Sequence, residues 1–153
     1  MKQFSNVGKT AITIILTLWL VVLVSRNIFR QLDWIDPIKF YSQTLAHAPK
    51  SIRIRNGLAM AYAERGDNNE AIQQYNNAIA IDPNVPNLYH NLANAYLAKG
   101  DVARAEENYL TAIKVDPMFS FSYGSLYSLY AKTGQTQKAQ EVVNNFNARF
   151  DAK

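Results

Sequence analysis

The apolar residues of the chain follow two different patterns. Between Lys9 and Arg26 no charged residue occurs, and the sequence is apolar without a polar face. From residue 51 onward, apolar residues recur at i, i+1 and i+4, which places them on one side of a helix. The first pattern is typical of a helix surrounded by lipid, and the second of helices that pack against one another. The chain is therefore predicted to be all-α.

The continuous apolar run, residues 10–25, predicts a transmembrane helix. Ten of its sixteen residues are Ile, Leu or Val, which together favour insertion into a bilayer by about 3 to 6 kcal/mol. As a helix the run is about 24 Å long, and Lys9 and Arg26 can extend their charges to the headgroups. A cleaved signal peptide is the competing interpretation, but the residues after the run lack a small-x-small cleavage site. Residues 1–30 are accordingly predicted to be a membrane anchor.

The remaining sequence repeats itself at an offset of 34 residues. Residues 55–83 align without a gap to residues 89–117, and a third copy starts at Tyr123. In each copy a glycine separates two helical segments, because glycine favours the left-handed turn that ends a helix. These glycines are Gly66, Gly100 and Gly134. Three helix–turn–helix units are thus predicted, at residues 51–84, 85–118 and 119–151.

Recurring side chains indicate how the units pack. Small residues recur where the helices of one unit would approach closely, and tyrosines recur where neighbouring units would stack. The recurring residues are Leu58, Ala59, Tyr62, Ala71, Tyr75 and Ala78, then Leu92, Ala93, Tyr96, Ala105, Tyr109 and Ala112. Asp67, Asp101 and Gln135 follow the glycines, where a polar side chain can cap the next helix.

This series of residues resembles the tetratricopeptide repeat, and the resemblance covers residues 51–150. It implies a short α-solenoid whose first helices line a concave groove for a protein or peptide ligand. The resemblance assigns these positions to the groove: Arg53, Asn56, Met60, Asn87, His90, Asn91, Asn94, Phe121, Ser125 and Ser128. Asparagine side chains both donate and accept hydrogen bonds, so they suit a peptide backbone. Met60, Phe121 and Ser125 stand where a C-terminal carboxylate clamp would have cations, which disfavours acidic chaperone tails.

Residues 34–49, WIDPIKFYSQTLAHAP, predict one more helix before the repeats. Asp36 and Pro37 are suited to the cap and the first turn of a helix. Three residues keep the register of the repeat: Tyr41, Leu45 and Pro49, which lie 34 residues before Tyr75, Ile79 and Pro83. Residues 31–50 are therefore predicted to be a half-repeat that caps the solenoid, with the three units filling residues 51–153.

The composition offers little for catalysis or for metal binding. The chain has no cysteine, and its two histidines, His47 and His90, lie 43 residues apart. No cluster of His, Cys and carboxylate residues has metal-ligand spacing, and no glycine-rich phosphate loop occurs. The chain is therefore predicted to be no enzyme and to hold no cofactor or metal.

The basic excess of the chain lies in its N-terminal third. Residues 1–55 hold eight Lys or Arg and two Asp, whereas residues 56–153 hold eight Lys or Arg and ten Asp or Glu. The net charge of +4 therefore belongs to the flanks of the apolar run. No nucleic-acid partner is predicted, because binding one requires a basic face on the folded part.

The approach to the first repeat also resembles the end of O-mannosyltransferase-type membrane proteins. In those multi-spanning proteins an Arg-Asn…Trp segment leads from the last span into tetratricopeptide repeats, and here the matching segment runs from Arg26 to Trp34. The resemblance implies that the repeats lie outside the cytoplasm and that a multi-spanning glycosyltransferase is a partner.

Two functions follow from these patterns. The first is a single-pass, membrane-anchored scaffold that binds a protein or peptide near the bilayer. The second is a detached C-terminal tail of a membrane glycosyltransferase, which acts with a separate catalytic part.

Overall fold

The computed structural model describes residues 11–12, 14–24 and 36–150. The chain divides into two compact units, residues 1–40 and residues 41–153. In the described residues every regular element is an α-helix, as predicted. The helices are α1, whose described part is residues 11–12 and 14–24, α2 (Pro37–His47), α3 (Ile52–Arg65), α4 (Asn68–Ile79), α5 (Pro86–Ala98), α6 (Val102–Val115), α7 (Ser120–Lys132) and α8 (Thr136–Phe150).

Helix α1 lies in the first unit and carries exposed apolar side chains. Its large apolar residues from Ile12 to Val24 are between 39% and 66% exposed. Within the described ranges, the structure contains no helix that is both long enough and apolar enough to cross a membrane. The predicted anchor, residues 1–30, extends on both sides into residues outside those ranges.

Helix α2 begins where the sequence predicts a helix start. The Asp36 carboxylate accepts hydrogen bonds from the backbone N–H groups of Ile38 and Lys39, at 3.0 and 3.3 Å. In the second unit the ring of Tyr41 lies directly on Gly57 of α3, where a Cβ atom would come within 2.6 Å of the ring. The missing side chain at Gly57 therefore lets α2 and α3 approach closely. Residues 31–35 of the predicted half-repeat lie outside the described ranges.

The three helix pairs α3/α4, α5/α6 and α7/α8 follow the 34-residue period. The glycine after the first helix of each pair has a positive φ, of 90° at Gly66, 80° at Gly100 and 73° at Gly134. A side chain would strain this left-handed conformation, which reverses the chain between the two helices. The second unit is thus an all-α helical repeat solenoid.

The polar residues after these glycines differ in what they do. The Asp101 carboxylate caps α6 by accepting from the backbone N–H of Arg104 at 3.1 Å. The Asp67 side chain makes no capping hydrogen bond to α4, because it pairs with Arg65. The Gln135 side chain donates to the Thr133 hydroxyl at 2.9 Å. The capping expected at all three positions therefore holds at Asp101 alone.

The core is built from the small and aromatic residues that recur along the sequence. Six alanines are fully buried at helix crossings, and the tyrosines one repeat apart, Tyr75 and Tyr109, are 2% and 1% exposed. These alanines are Ala59, Ala71, Ala78, Ala93, Ala105 and Ala112. A methyl side chain allows two helices to approach closely, so each tyrosine can fill the space between adjacent pairs.

The last helix pair is joined to the rest by a polar network and by aromatic packing. The Tyr130 hydroxyl and the Lys138 ammonium both donate to Glu106 Oε1, each at 2.8 Å. The hydrogen bond from Lys138 is the main reason that the pKa of Glu106 is lowered. On α8, Phe146 stacks on Phe150 with ring centroids 4.2 Å apart. Helices α6, α7 and α8 are therefore linked by one carboxylate and one aromatic pair.

Replacing Gly57 by alanine is expected to loosen the packing of α2 on α3. The new Cβ would overlap the Tyr41 ring at 2.6 Å, so we expect a loss of about 1–3 kcal/mol of stability and faster hydrogen exchange in α2. Gly124→Ala is the matched control, because nothing lies within 4 Å of its Cβ position. Alanine in that helix is expected to add about 0.5–1 kcal/mol. Equal melting temperatures for the two variants would contradict the close approach.

Candidate peptide-binding groove

The ten predicted groove positions all lie on the first helices of the three pairs, α3, α5 and α7. They are not equally accessible. The exposed residues are Arg53, Met60, Asn87, Asn94 and Phe121. The partly buried residues are Asn56, His90, Asn91, Ser125 and Ser128.

Three of the asparagines form one hydrogen-bonded group across two helices. Asn91 Nδ2 donates to Asn87 Oδ1 at 2.7 Å within α5 and to Asn56 Oδ1 on α3 at 3.2 Å. Asn56 Nδ2 in turn lies 3.6 Å from the Met60 sulfur. Both amide hydrogens of Asn91 are thus used inside the protein, and its oxygen stays available as an acceptor.

The fourth asparagine is held by the core. Asn94 Oδ1 accepts a hydrogen bond from the hydroxyl of Tyr109, which lies on α6. Burial raises the pKa of Tyr109, and a hydrogen bond with Ser125 opposes that shift. Because its oxygen is engaged, Asn94 presents its amide N–H groups as donors. Adjacent residues of the groove therefore have opposite hydrogen-bonding capacity.

His90 differs from the expectation for an open groove residue. Its ring packs against Tyr109, Phe119 and Phe121, with centroids 5.4, 5.6 and 6.3 Å away. Its Nδ1 lies 3.1 Å from the hydroxyl of Ser122, which is fully buried. Burial lowers the pKa of His90, so the imidazole is neutral at neutral pH. His90 thus joins the second and third helix pairs.

Arg53, Phe121 and Ser128 stand apart from the asparagine group. Arg53 and Ser128 make no hydrogen bond with any described residue. Phe121 is 70% exposed and touches His90 and Phe119, with its centroid 5.5 Å from that of Phe119. The structure therefore brings Asn56, Asn87 and Asn91 together, and leaves Phe121 as an exposed aromatic surface beside them.

A cleft of about 340 Å³ lies between α3, α4 and α5. It is lined by Met60, Ala63, Glu64, Asn68, Tyr75, Asn91, Asn94, Ala95 and Ala98. Three of these, Ala63, Glu64 and Ala98, were not predicted, although they lie one helical turn beyond Met60 and Asn94. Following the groove face one turn further along each helix would have identified them.

Two family models match the repeats. Residues 59–100 match the model described as TPR repeat, and residues 86–119 match the model described as tetratricopeptide repeat. The predicted tetratricopeptide repeats are confirmed over these residues. No curated protein sequence matches the chain.

Solved structures share the fold. MamA has a TM-score of 0.65 and 21% identity, with 74% of this chain and 67% of that chain covered. The first tetratricopeptide domain of Spaghetti, bound to an HSP90 peptide, has a TM-score of 0.59 and 20% identity over 67% of this chain and 83% of that chain. An O-GlcNAc transferase mutant from Thermobaculum terrenum has a TM-score of 0.58 and 24% identity over 61% of this chain. Only 18% of that transferase is covered.

These likenesses concern the fold, which is the predicted helical repeat solenoid. The match to the O-GlcNAc transferase spans a small part of that chain, so it carries no argument about sugar transfer. The resemblance to the tail of O-mannosyltransferase-type proteins stays a prediction.

Proposed function

We propose that this chain, whose residues 59–119 carry tetratricopeptide repeats, is a scaffold that binds an extended segment of another protein in its groove. The N-terminal apolar helix would hold this scaffold at a membrane. A protein-interaction scaffold agrees with the family matches and with the repeat solenoid.

The pairing of Asn91 with Asn94 is the observation that carries the proposal. Asn91 has given both amide hydrogens to Asn56 and Asn87, so it can only accept from a ligand. Asn94 has given its oxygen to Tyr109, so it can only donate. Each peptide unit of an extended segment offers one N–H and one C=O. The two asparagines therefore match the polar groups of a peptide backbone and require no particular side chain.

The membrane arm of the proposal is supported by α1. Its described residues form a helix whose large apolar side chains are 39% to 66% exposed. Lipid is the surrounding in which such a helix loses no free energy by exposing apolar surface. We place the repeats outside the cytoplasm, in keeping with the O-mannosyltransferase resemblance, and we assign no catalytic step to this chain.

The role as a glycosyltransferase tail is the narrower form of the same proposal. It adds a multi-spanning enzyme as the partner that the scaffold accompanies. The Arg26–Trp34 segment on which it rests lies outside the described residues. Co-purification of such an enzyme with the full chain would support this form.

The groove can be tested with a phage-displayed library of unstructured peptides, selected on the full chain in lipid nanodiscs. Asn94→Asp keeps the acceptor for Tyr109 and removes the donor, while Asn91→Ala removes the acceptor. We expect the two changes together to weaken selected peptides by about tenfold, with the melting temperature falling only slightly.

The control is Asn77→Ala, which removes an exposed asparagine of α4 outside the cleft. It is expected to leave affinity unchanged. If the Asn91 and Asn94 variants bind the selected peptides as tightly as the wild type, the groove is not the binding site.

A further inference from the structure

We propose that the cleft between the first two helix pairs selects a lysine or arginine side chain of the bound segment. This inference rests on the proposed function, since it assigns a side-chain preference to the same groove. The groups that recognise the cation are the Glu64 carboxylate and the Asn91 oxygen.

The apolar lining of the cleft suits the stem of a long cationic side chain. Met60, Ala95 and Ala98 line it with methyl, methylene and thioether groups, within a volume of about 340 Å³. Lysine and arginine bury their methylene stems along apolar surface while the charged group stays at a polar edge. A short or fully apolar side chain would use only part of this lining.

The charges around the cleft favour a cation. Glu64 is exposed and makes no ion pair or hydrogen bond with a described residue, whereas no lysine or arginine lines the cleft. The nearby cations are engaged elsewhere, because Arg65 pairs with Asp67 and the Lys99 ammonium donates to Asn69 Oδ1. The carboxylate of Glu64 is therefore free to pair with a charge brought by the ligand.

Two further features place the acidic charge at the lining itself. Burial raises the pKa of Tyr75 to about 12, and the negative charge of Glu64 contributes to that increase. Asn91 adds a neutral acceptor on the same lining, because its amide hydrogens are already donated within the protein. An ammonium or guanidinium group needs several acceptors at once.

The preference is specific to this part of the groove. The positions 34 and 68 residues after Glu64 are Ala98 and Lys132, so the carboxylate does not recur in the later helix pairs. This arrangement is opposite to a clamp for an acidic C-terminus, which places cations along the groove. The bound segment would thus present a basic residue to the first two pairs.

Three capped pentapeptides test the inference, with Lys, norleucine or Glu between alanines. Binding is followed by NMR through the side-chain amide signals of Asn91 and Asn94, with the full chain in detergent micelles. We expect the Lys peptide to bind about threefold more tightly than the norleucine peptide at low salt, and the ratio to shrink as salt rises. The Glu peptide should bind most weakly.

Glu64→Gln is expected to remove the difference between the Lys and norleucine peptides. Glu70→Gln is the matched control, because it removes the same charge from an exposed position outside the cleft, and it should leave the ratio unchanged. Equal affinity of wild type for Lys and norleucine peptides overturns the cation preference and leaves the groove function standing. If none of the peptides shifts the Asn91 or Asn94 signals, both the preference and the groove function fail.

Discussion

Substituting Ala105 by glutamate is expected to unfold the repeat solenoid. Ala105 is fully buried beside Ala93 and Tyr109, where only a methyl group fits. A longer side chain costs about 1–3 kcal/mol by overpacking, and an unpaired buried carboxylate costs several kcal/mol more. The sum is comparable with the whole stability of a domain of this size, about 5–15 kcal/mol. Far-UV circular dichroism and chemical denaturation would show the loss of helix.

Ala103→Glu is the control for this prediction. Ala103 lies on the same helix, α6, but its side chain is exposed. A glutamate there is expected to change stability by about 0.5 kcal/mol or less. Melting of the Ala105 variant at the wild-type temperature would contradict the packing of α6 described above.

Replacing both Leu16 and Leu20 by lysine is expected to release the protein from membranes. Each change makes insertion less favourable by about 3–4 kcal/mol, so the pair outweighs the roughly 3–6 kcal/mol that the apolar run supplies. Both leucines are exposed on α1, so the packing of the repeats should be unaffected. The measurement is the fraction of expressed protein that stays in a membrane pellet after alkaline washing.

The matched control places the same two changes on the solenoid, as Leu97→Lys and Leu110→Lys. These leucines are also exposed, so the total charge changes equally while the apolar run stays intact. We expect this control to remain in the membrane pellet with the wild-type protein. Retention of the Leu16 and Leu20 variant in the pellet would refute anchoring through α1.

The arrangement of the helix pairs could be predicted from local sequence because the 34-residue period repeats the same local instructions. Glycines at Gly66, Gly100 and Gly134 take the left-handed conformation that the chain reversal needs. Capping was less predictable. Asp67 and Asp101 occupy the same repeat position, yet Arg65 draws the first carboxylate away from the helix end. A neighbouring side chain, which the periodicity does not include, decides between the two.

The groove shows the same division. Its asparagines could be located from repeat position, because the first helix of each pair presents one face outward. The periodicity could not show that Asn91 has spent its hydrogens and Asn94 its oxygen, since those bonds reach Asn56 and Tyr109 on other helices. It also placed His90 in the open groove, although the aromatic residues around α7 cover part of its ring.

The sequence by itself determined the all-α architecture, the 34-residue repeat and the helix faces that carry polar residues. These properties depend on side chains a few positions apart, which interact within one helix or one turn. Only the tertiary structure decided which polar atoms remain free and that Glu64 lies unpaired at the rim of an apolar cleft. Those outcomes depend on contacts between residues about one repeat apart, whose distances are set by how the helix pairs stack.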